Sequence, residues 1–286
     1  MRCGNTTFLW GARTYVMGIV NVTPDSFSGD GLLDPAAAIA RGLFLADNGA
    51  DILDVGGEST RPGSKPIAAD EERRRVVPVI ESLARQTQVP ISVDTYRAET
   101  AEAALEAGAA MVNDVWGFRR DAALAGVVAR RGACAVAMHN RRAAATRDQA
   151  LGGFFPKVEY TDLLASIVTE LLESVDILVH AGVPLERVIV DPGIGFGKTP
   201  TQNLELLRRL GELRALGRPI LIGPSRKSFI GLALGLPPDQ RVEGTAATVA
   251  LGIANGADLV RVHDLPAIAR VARMADVIVR GLRTED

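Results

Sequence analysis

Cysteine is nearly absent from this chain: its 286 residues hold only Cys3 and Cys134. The two lie far apart and in no metal-ligand spacing, which argues against a disulfide framework and a thiolate zinc site. Cys134 falls in an apolar segment, where a buried free thiol is the expectation. Long hydrophobic runs are missing too. No stretch reaches the length of a bilayer-spanning helix, and the start has no signal-peptide pattern. A cytoplasmic location is expected. Nor is there an excess of charge of either sign, since the formal net charge is −2. No global basic field draws the chain to nucleic acid, so any anion site must be built locally. What the chain does have is 47% hydrophobic residues, enough for a large core.

An apolar run over residues 15–20 reads as a buried strand. A small hairpin is expected around Trp10-Gly11-Ala12, with arms at 6–9 and 13–16. An alternation then recurs. Helical patterns at 35–48, 69–86, 97–107 and 121–131 alternate with short apolar strands at 50–55, 90–94, 110–114 and 133–138. Residues 140–157 lack periodicity and read as an extended loop. Helices at 160–181, 203–216, 242–255 and 265–280 then alternate with strands at 187–191, 219–223 and 257–261. Several strands are rich in Val, Ile and Leu with little alternation, as when both faces are covered. About eight strand–helix units without a linker indicate a single (β/α)8 barrel over residues 1–286, with a short N-terminal β-hairpin. A doubly wound sheet would usually have fewer strands or a second domain.

Barrel strands open at their C-terminal ends onto one face, where sites of this fold sit. The polar residues at those ends are Asn21, Glu58-Ser59-Thr60-Arg61, Asp94, Asn113, His139, Asp191, Ser225-Arg226-Lys227-Ser228 and Arg261-Val262-His263. Helix capping alone does not explain such residues after nearly every strand. The loop from Asn21 to Ser28 carries one aromatic, Phe27, at its tip. Asp191-Pro192-Gly193-Ile194-Gly195-Phe196-Gly197-Lys198-Thr199 fits neither a dinucleotide turn nor a phosphate-binding P-loop. It reads as a glycine-rich loop that lets a flat ligand approach, with Phe196 as a stacking wall. Arg261 and His263 share one face of the last strand. With Asn21 on the neighbouring first strand they form a local anion site, which a metal on Asn21 would strengthen. Asp94, Asn113, Asp191 and Lys227 suit a flat heterocycle with amidine-like N–H groups. Asp51 and Asp54 are read as members of a satisfied polar network in the barrel mouth, since packing or capping explains both. His139, with no Cys or acidic partner in view, is read as structural.

Together these stretches resemble the dihydropteroate synthase family, the folate-pathway enzymes that sulfonamides inhibit. The pieces that carry the resemblance are Asn21-Val22-Thr23-Pro24-Asp25-Ser26-Phe27-Ser28, Glu58-Ser59-Thr60-Arg61-Pro62-Gly63, Ser92-Val93-Asp94-Thr95, Asn113-Asp114, Asp191-Pro192-Gly193, Ser225-Arg226-Lys227-Ser228 and Arg261-Val262-His263. The resemblance implies a barrel, usually a homodimer, that joins 6-hydroxymethyl-7,8-dihydropterin diphosphate to 4-aminobenzoate and releases diphosphate. It implies that Asp94, Asn113, Asp191 and Lys227 hold the pterin and that Met138 and Phe196 line its slot. Asn21, Arg61, Arg261 and His263 would hold diphosphate, with Mg2+ on Asn21. Phe27, Thr60, Pro62 and Ser228 would frame the aminobenzoate. Asp94, Lys227 and Arg261 are the implied catalytic residues. Two departures stand out: Ile194, where an aromatic is frequent, and Asn140-Arg141-Arg142 after His139. A methyl-transferring pterin barrel and a non-catalytic pterin binder are the alternatives. The first would not need Phe27 or Lys227-Ser228.

Overall fold

Gly4, at φ 56°, turns the chain tightly enough for two-residue strands to pair on either side. β1 (Arg2–Cys3) runs antiparallel to β2 (Thr6–Thr7). The hairpin therefore exists, but nearer the N-terminus than the expected arms. The reason lies in β3 (Tyr15–Asn21), which has a parallel neighbour on each edge and no room for an antiparallel one. The computed structural model describes residues 1–23, 34–59, 66–141 and 155–282.

The main sheet holds β3 with β4 (Ile52–Gly56), β5 (Ile91–Asp94), β6 (Met111–Asp114), β7 (Cys134–Met138), β8 (Val188–Asp191), β9 (Leu221–Ile222) and β10 (Leu259–Val262). The order is β8-β7-β6-β5-β4-β3-β10-β9. A parallel bridge from Val190 to Ile220 joins the two end strands, so the sheet closes on itself. Around it lie α1 (Pro35–Asp47), α2 (Ala69–Gln86), α3 (Ala98–Glu106), α4 (Leu124–Arg131), α5 (Leu163–His180), α6 (Pro200–Arg208), α7 (Ser228–Leu234), α8 (Val242–Ala254) and α9 (Leu265–Arg280). The (β/α)8 barrel is the observed architecture.

Several expected elements differ in their bounds. The helix expected at 203–216 is split. α6 begins at Pro200 behind a capping box in which Thr199 and Gln202 satisfy each other's backbone N–H groups. It ends at Arg208, and a 3-10 stretch, Leu210–Leu216, follows. α5 begins at Leu163, where the Asp162 side chain accepts from Ala165 N. Of the loop expected at 140–157, residues 142–154 lie outside the described residues.

Side-chain parity sorts the barrel interior into layers. Met17, Ile52, Met111, Cys134, Val136, Ile189, Leu221 and Leu259 form one apolar cluster with Cys3 and Phe8 of the N-terminal segment. Phe8, Trp10 and Tyr15 pack ring on ring beside it. Two residues further along four of these strands stand Asp54, Asn113, Asp191 and Arg261. The interior is thus apolar where strands begin and polar where they end. A second, larger cluster fills the space between strands and helices.

Candidate active site

The polar layer is a connected network. Arg261 Nε donates to Asp54 Oδ2 at 2.6 Å, and its Nη2 donates to Asp94 Oδ2 at 2.7 Å. Asn113 Nδ2 donates to the same Asp54 oxygen at 3.1 Å. Four strands, β4, β5, β6 and β10, thereby converge on one cluster. Burial works against the Arg261 charge, but Asp54 and Asp94 overcome it and hold the guanidinium firmly protonated. Burial pushes the Asp94 carboxyl up to about 7, against the pull of Arg261 and helped by the charge of Asp54.

A second group sits beside the first. Gly223, after β9, separates Arg261 from Lys227: a Cβ there would lie 3.8 Å from the Arg261 Cβ and 3.9 Å from the Lys227 Nζ. That ammonium lies 4.5 Å from the Phe196 ring centroid and donates to Ile194 O. Asp191 ends β8 and accepts Gly193 N at 2.7 Å. Burial raises its carboxyl, and Lys227 opposes the rise. Met138, Tyr96 and Val115 form a small apolar cluster against Phe196 and Trp116. The result is charged groups at the floor with an aromatic and apolar wall beside them, the arrangement that recognises a flat polar heterocycle.

The glycines of the β8 loop are required by geometry. Gly193 has φ 68°, and a Cβ on it would stand 1.9 Å from the His139 carbonyl oxygen. Lys198 secures the same loop from behind. Its buried Nζ donates to Gly193 O at 2.9 Å and Phe196 O at 3.3 Å, and lies 2.9 Å from His139 Nδ1. Burial brings the Lys198 ammonium down to about 7. Lys198 faces inward, so Gly197-Lys198-Thr199 is no phosphate loop.

His139 is fully buried, and burial together with Lys198 lowers it to about 3. It stays a neutral, structural ring, as read from the sequence. The missing acidic partner is nevertheless present: Glu170 of α5 lies 3.2 Å from His139 Nε2. Glu170 also takes Arg141 Nε at 2.7 Å. Asn140 Nδ2 donates to Val115 O at 2.9 Å. The unusual Asn140-Arg141 pair thus ties β7 to its surroundings.

Several other expected residues are placed. Asn21 is the half-buried last residue of β3, in register with Gly56 beside Asp94. His263 Nδ1 lies 3.0 Å from Ser225 Oγ. Asp264 bonds Arg226, which leaves Arg261 to the barrel interior. Ser228 opens α7, immediately after Lys227. Glu58 accepts from Arg97 Nη2 and Ile67 N, which ties the end of β4 to the residues before α2. Phe27, Thr60, Arg61 and Pro62 lie outside the described residues. Asp51 is structural as read, accepting Val16 N at 2.8 Å and pairing with Arg13. Asp54 does sit in a polar network at the barrel mouth, and it is the hub of that network. An acidic residue in the middle of an apolar strand was the visible signal.

The family model for pterin binding enzymes matches residues 17–263. A dihydropteroate synthase of Clostridium beijerinckii is 48% identical over 98% of this chain and 100% of its own length. The solved dihydropteroate synthase of Clostridium difficile, studied in the presence of pteroic acid, shares 47% identity and a TM-score of 0.87 over 96% of this chain and 100% of that one. That of Xanthomonas albilineans with 4-aminobenzoic acid shares 41% identity and a TM-score of 0.85 over 95% of each chain. The matched span runs from the middle of β3 to the residue after β10 and takes in the whole charged network, so the chain belongs to the pterin-binding enzyme family, which includes the dihydropteroate synthases.

Proposed function

We propose that the chain is a dihydropteroate synthase: it condenses 6-hydroxymethyl-7,8-dihydropterin diphosphate with 4-aminobenzoate to give 7,8-dihydropteroate and diphosphate. The observation that carries the reading is the single network in which Arg261 bridges Asp54 and Asp94, with Asn113 on the same carboxylate and Lys227 alongside. Relatives that match nearly the whole chain bear this activity in their names.

In this reading Asp94, Asn113, Asp191 and Lys227 hold the pterin against Met138 and Phe196. Diphosphate leaves from a carbon attached to an electron-rich ring, so positive charge spreads into the dihydropterin. A carboxylate at Asp94 stabilises that charge best where water is excluded. Arg261, His263, Asn21 and Arg61 receive the departing diphosphate. The aminobenzoate amine then attacks the carbon and loses its proton, with Phe27, Thr60, Pro62 and Ser228 around its ring.

The charge balance supports a metal. Arg261 and Lys227 face Asp54, Asp94 and Asp191, so their charge is already balanced before a diphosphate arrives. Asn21 offers one hard oxygen at the strand mouth, and among the described residues no three His, Cys, Asp or Glu side chains form a cage. That donor set fits Mg2+, which keeps waters and binds through substrate phosphates. When bound, the ion would offset the charge of the leaving group.

We further infer a cytoplasmic homodimer. Apolar side chains exposed on α8 and α9 support the dimer. The lack, among the described residues, of a helix that could cross a membrane is compatible with the location.

The deciding assay combines purified protein, Mg2+, the pterin diphosphate and 4-aminobenzoate, and measures dihydropteroate. Turnover is expected, and EDTA should suppress it. Pterin binding without any product would overturn the synthase in favour of a non-catalytic binder.

A further inference from the structure

Asp54 stands in the middle of β4, among Ile52, Leu53, Val55 and Gly56. A carboxylate at such a position loses its hydration and remains charged only with strong partners. Its partners come from both halves of the site. Oδ2 accepts from Asn113 of the pterin subsite at 3.1 Å and from Arg261 of the diphosphate subsite at 2.6 Å.

The two edges of Arg261 are not equivalent. Its Nε edge meets Asp54, which is 0% exposed, while its Nη2 edge meets Asp94, which is 11% exposed. Substrate entering the mouth reaches the second contact and not the first. The guanidinium is planar, so fixing its Nε edge also fixes the direction of its Nη donors.

We propose that Asp54 is a positioning residue: it pins Arg261 by the Nε edge and Asn113 by its amide, and leaves the Nη2 edge of Arg261 to exchange Asp94 for diphosphate. The exchange couples the two subsites. As diphosphate takes the Nη2 edge, the Asp94 carboxylate is released to the pterin, while Asp54 holds the guanidinium in place. The proposal rests on the synthase reading for its substrates. A filler role for Asp54 would make no such distinction between the edges, because a buried ion pair can often be replaced by apolar groups without loss of stability.

The test uses the intact protein with Mg2+ and inorganic pyrophosphate as the probe. Asp54→Asn keeps the shape and removes the charge. Calorimetry should show pyrophosphate binding weakened by about tenfold or more, the scale for loss of one partner of a buried charge pair. In steady-state assays the KM for the pterin diphosphate should rise and that for 4-aminobenzoate should not. Adding Asp54→Asn to Arg261→Lys, which lacks the Nε edge, should weaken pyrophosphate binding little further. Lowered thermal stability with unchanged pyrophosphate affinity and unchanged KM values would overturn the proposal. A crystal structure of the wild-type protein with pyrophosphate and a pterin analogue decides the matter even if the variant fails to fold. Arg261 Nε should remain on Asp54 with Nη2 withdrawn from Asp94; an Arg261 that leaves Asp54 refutes the assignment. A wild-type protein without turnover would count against the synthase reading, while the pyrophosphate measurements would still judge Asp54.

Discussion

In the proposed reaction Asp94 carries the charge that stabilises the pterin, and its surroundings make that charge sensitive to pH. An ordinary aspartate titrates near 3.9. Burial lifts Asp94 to about 7; Arg261 opposes the rise, and Asp54, Glu72 and Asp114 add to it. The carboxyl is therefore protonated in the free protein over a range where most aspartates are ionised. The expected result is a kcat/KM for the pterin diphosphate that falls as pH drops below about 7, since this parameter follows the free enzyme. Asp94→Asn should lower kcat by about 10²-fold, on the scale of one electrostatic stabiliser, and should remove that acid limb. A pH–rate profile of both proteins checks this; an identical limb in the variant would assign the titration to another group. Asp94, Asn113, Asp191, Lys227 and Arg261 were all legible as polar residues at strand ends. The hub role of Asp54 and the pairing of Glu170 with His139 were not, because both depend on partners distant in the chain. Asp54 and Arg261 stand 207 positions apart, and only the closed sheet makes them neighbours.

The element that most constrains the proposed pterin slot is the turn from β8 into α6. Gly193 allows the left-handed backbone, Lys198 ties down two of its carbonyls, and the Thr199–Gln202 capping box starts the helix. Gly193 and Gly217 offer a matched comparison. Both have positive φ, but a Cβ at Gly217 meets nothing within 4 Å, whereas one at Gly193 meets the His139 carbonyl at 1.9 Å. Gly217→Ala should cost only the left-handed backbone penalty, about 1 kcal/mol. Gly193→Ala should cost more, by roughly 1–3 kcal/mol for the forced backbone shift, and should weaken pterin binding. Thermal unfolding and a pterin-analogue titration on the two variants measure the difference; equal losses would mean that the loop can move away from His139. The strands and most helices were legible at this scale because their apolar patterns match their burial. The split of the 203–216 helix was missed although Thr199-Pro200 and Gln202 spell a helix start. The N-terminal hairpin was displaced because nothing local tells that β3 is already paired on both edges.

For the molecule as a whole, the barrel accounts for the inside and leaves the outside to be explained. Eight strand–helix units were countable in the sequence, but which outer face meets another chain was not, since that depends on which helices end up side by side. α8 and α9 pack against each other. Their outer surface carries Leu251, 64% exposed, with Met274 and Ile278 of α9 at 58% and 73%. Met274 and Ile278 are four residues apart and so share one face of the helix. An apolar surface of this kind is a candidate interface rather than an ordinary solvent face. In the proposed homodimer a two-fold contact uses the same patch on both subunits, so one substitution acts twice. Ile278→Glu would bury two carboxylates without partners, and the dimer dissociation constant should rise about 100-fold or more. The site residues described here all come from one chain and lie at the strand mouths, so the folded monomeric variant should retain turnover. Sedimentation velocity over a concentration series, with an activity assay on the same samples, provides the measurement. A wild-type protein that sediments as a monomer at micromolar concentration would sink the dimer, and a variant that associates as tightly as wild type would move the interface away from α9.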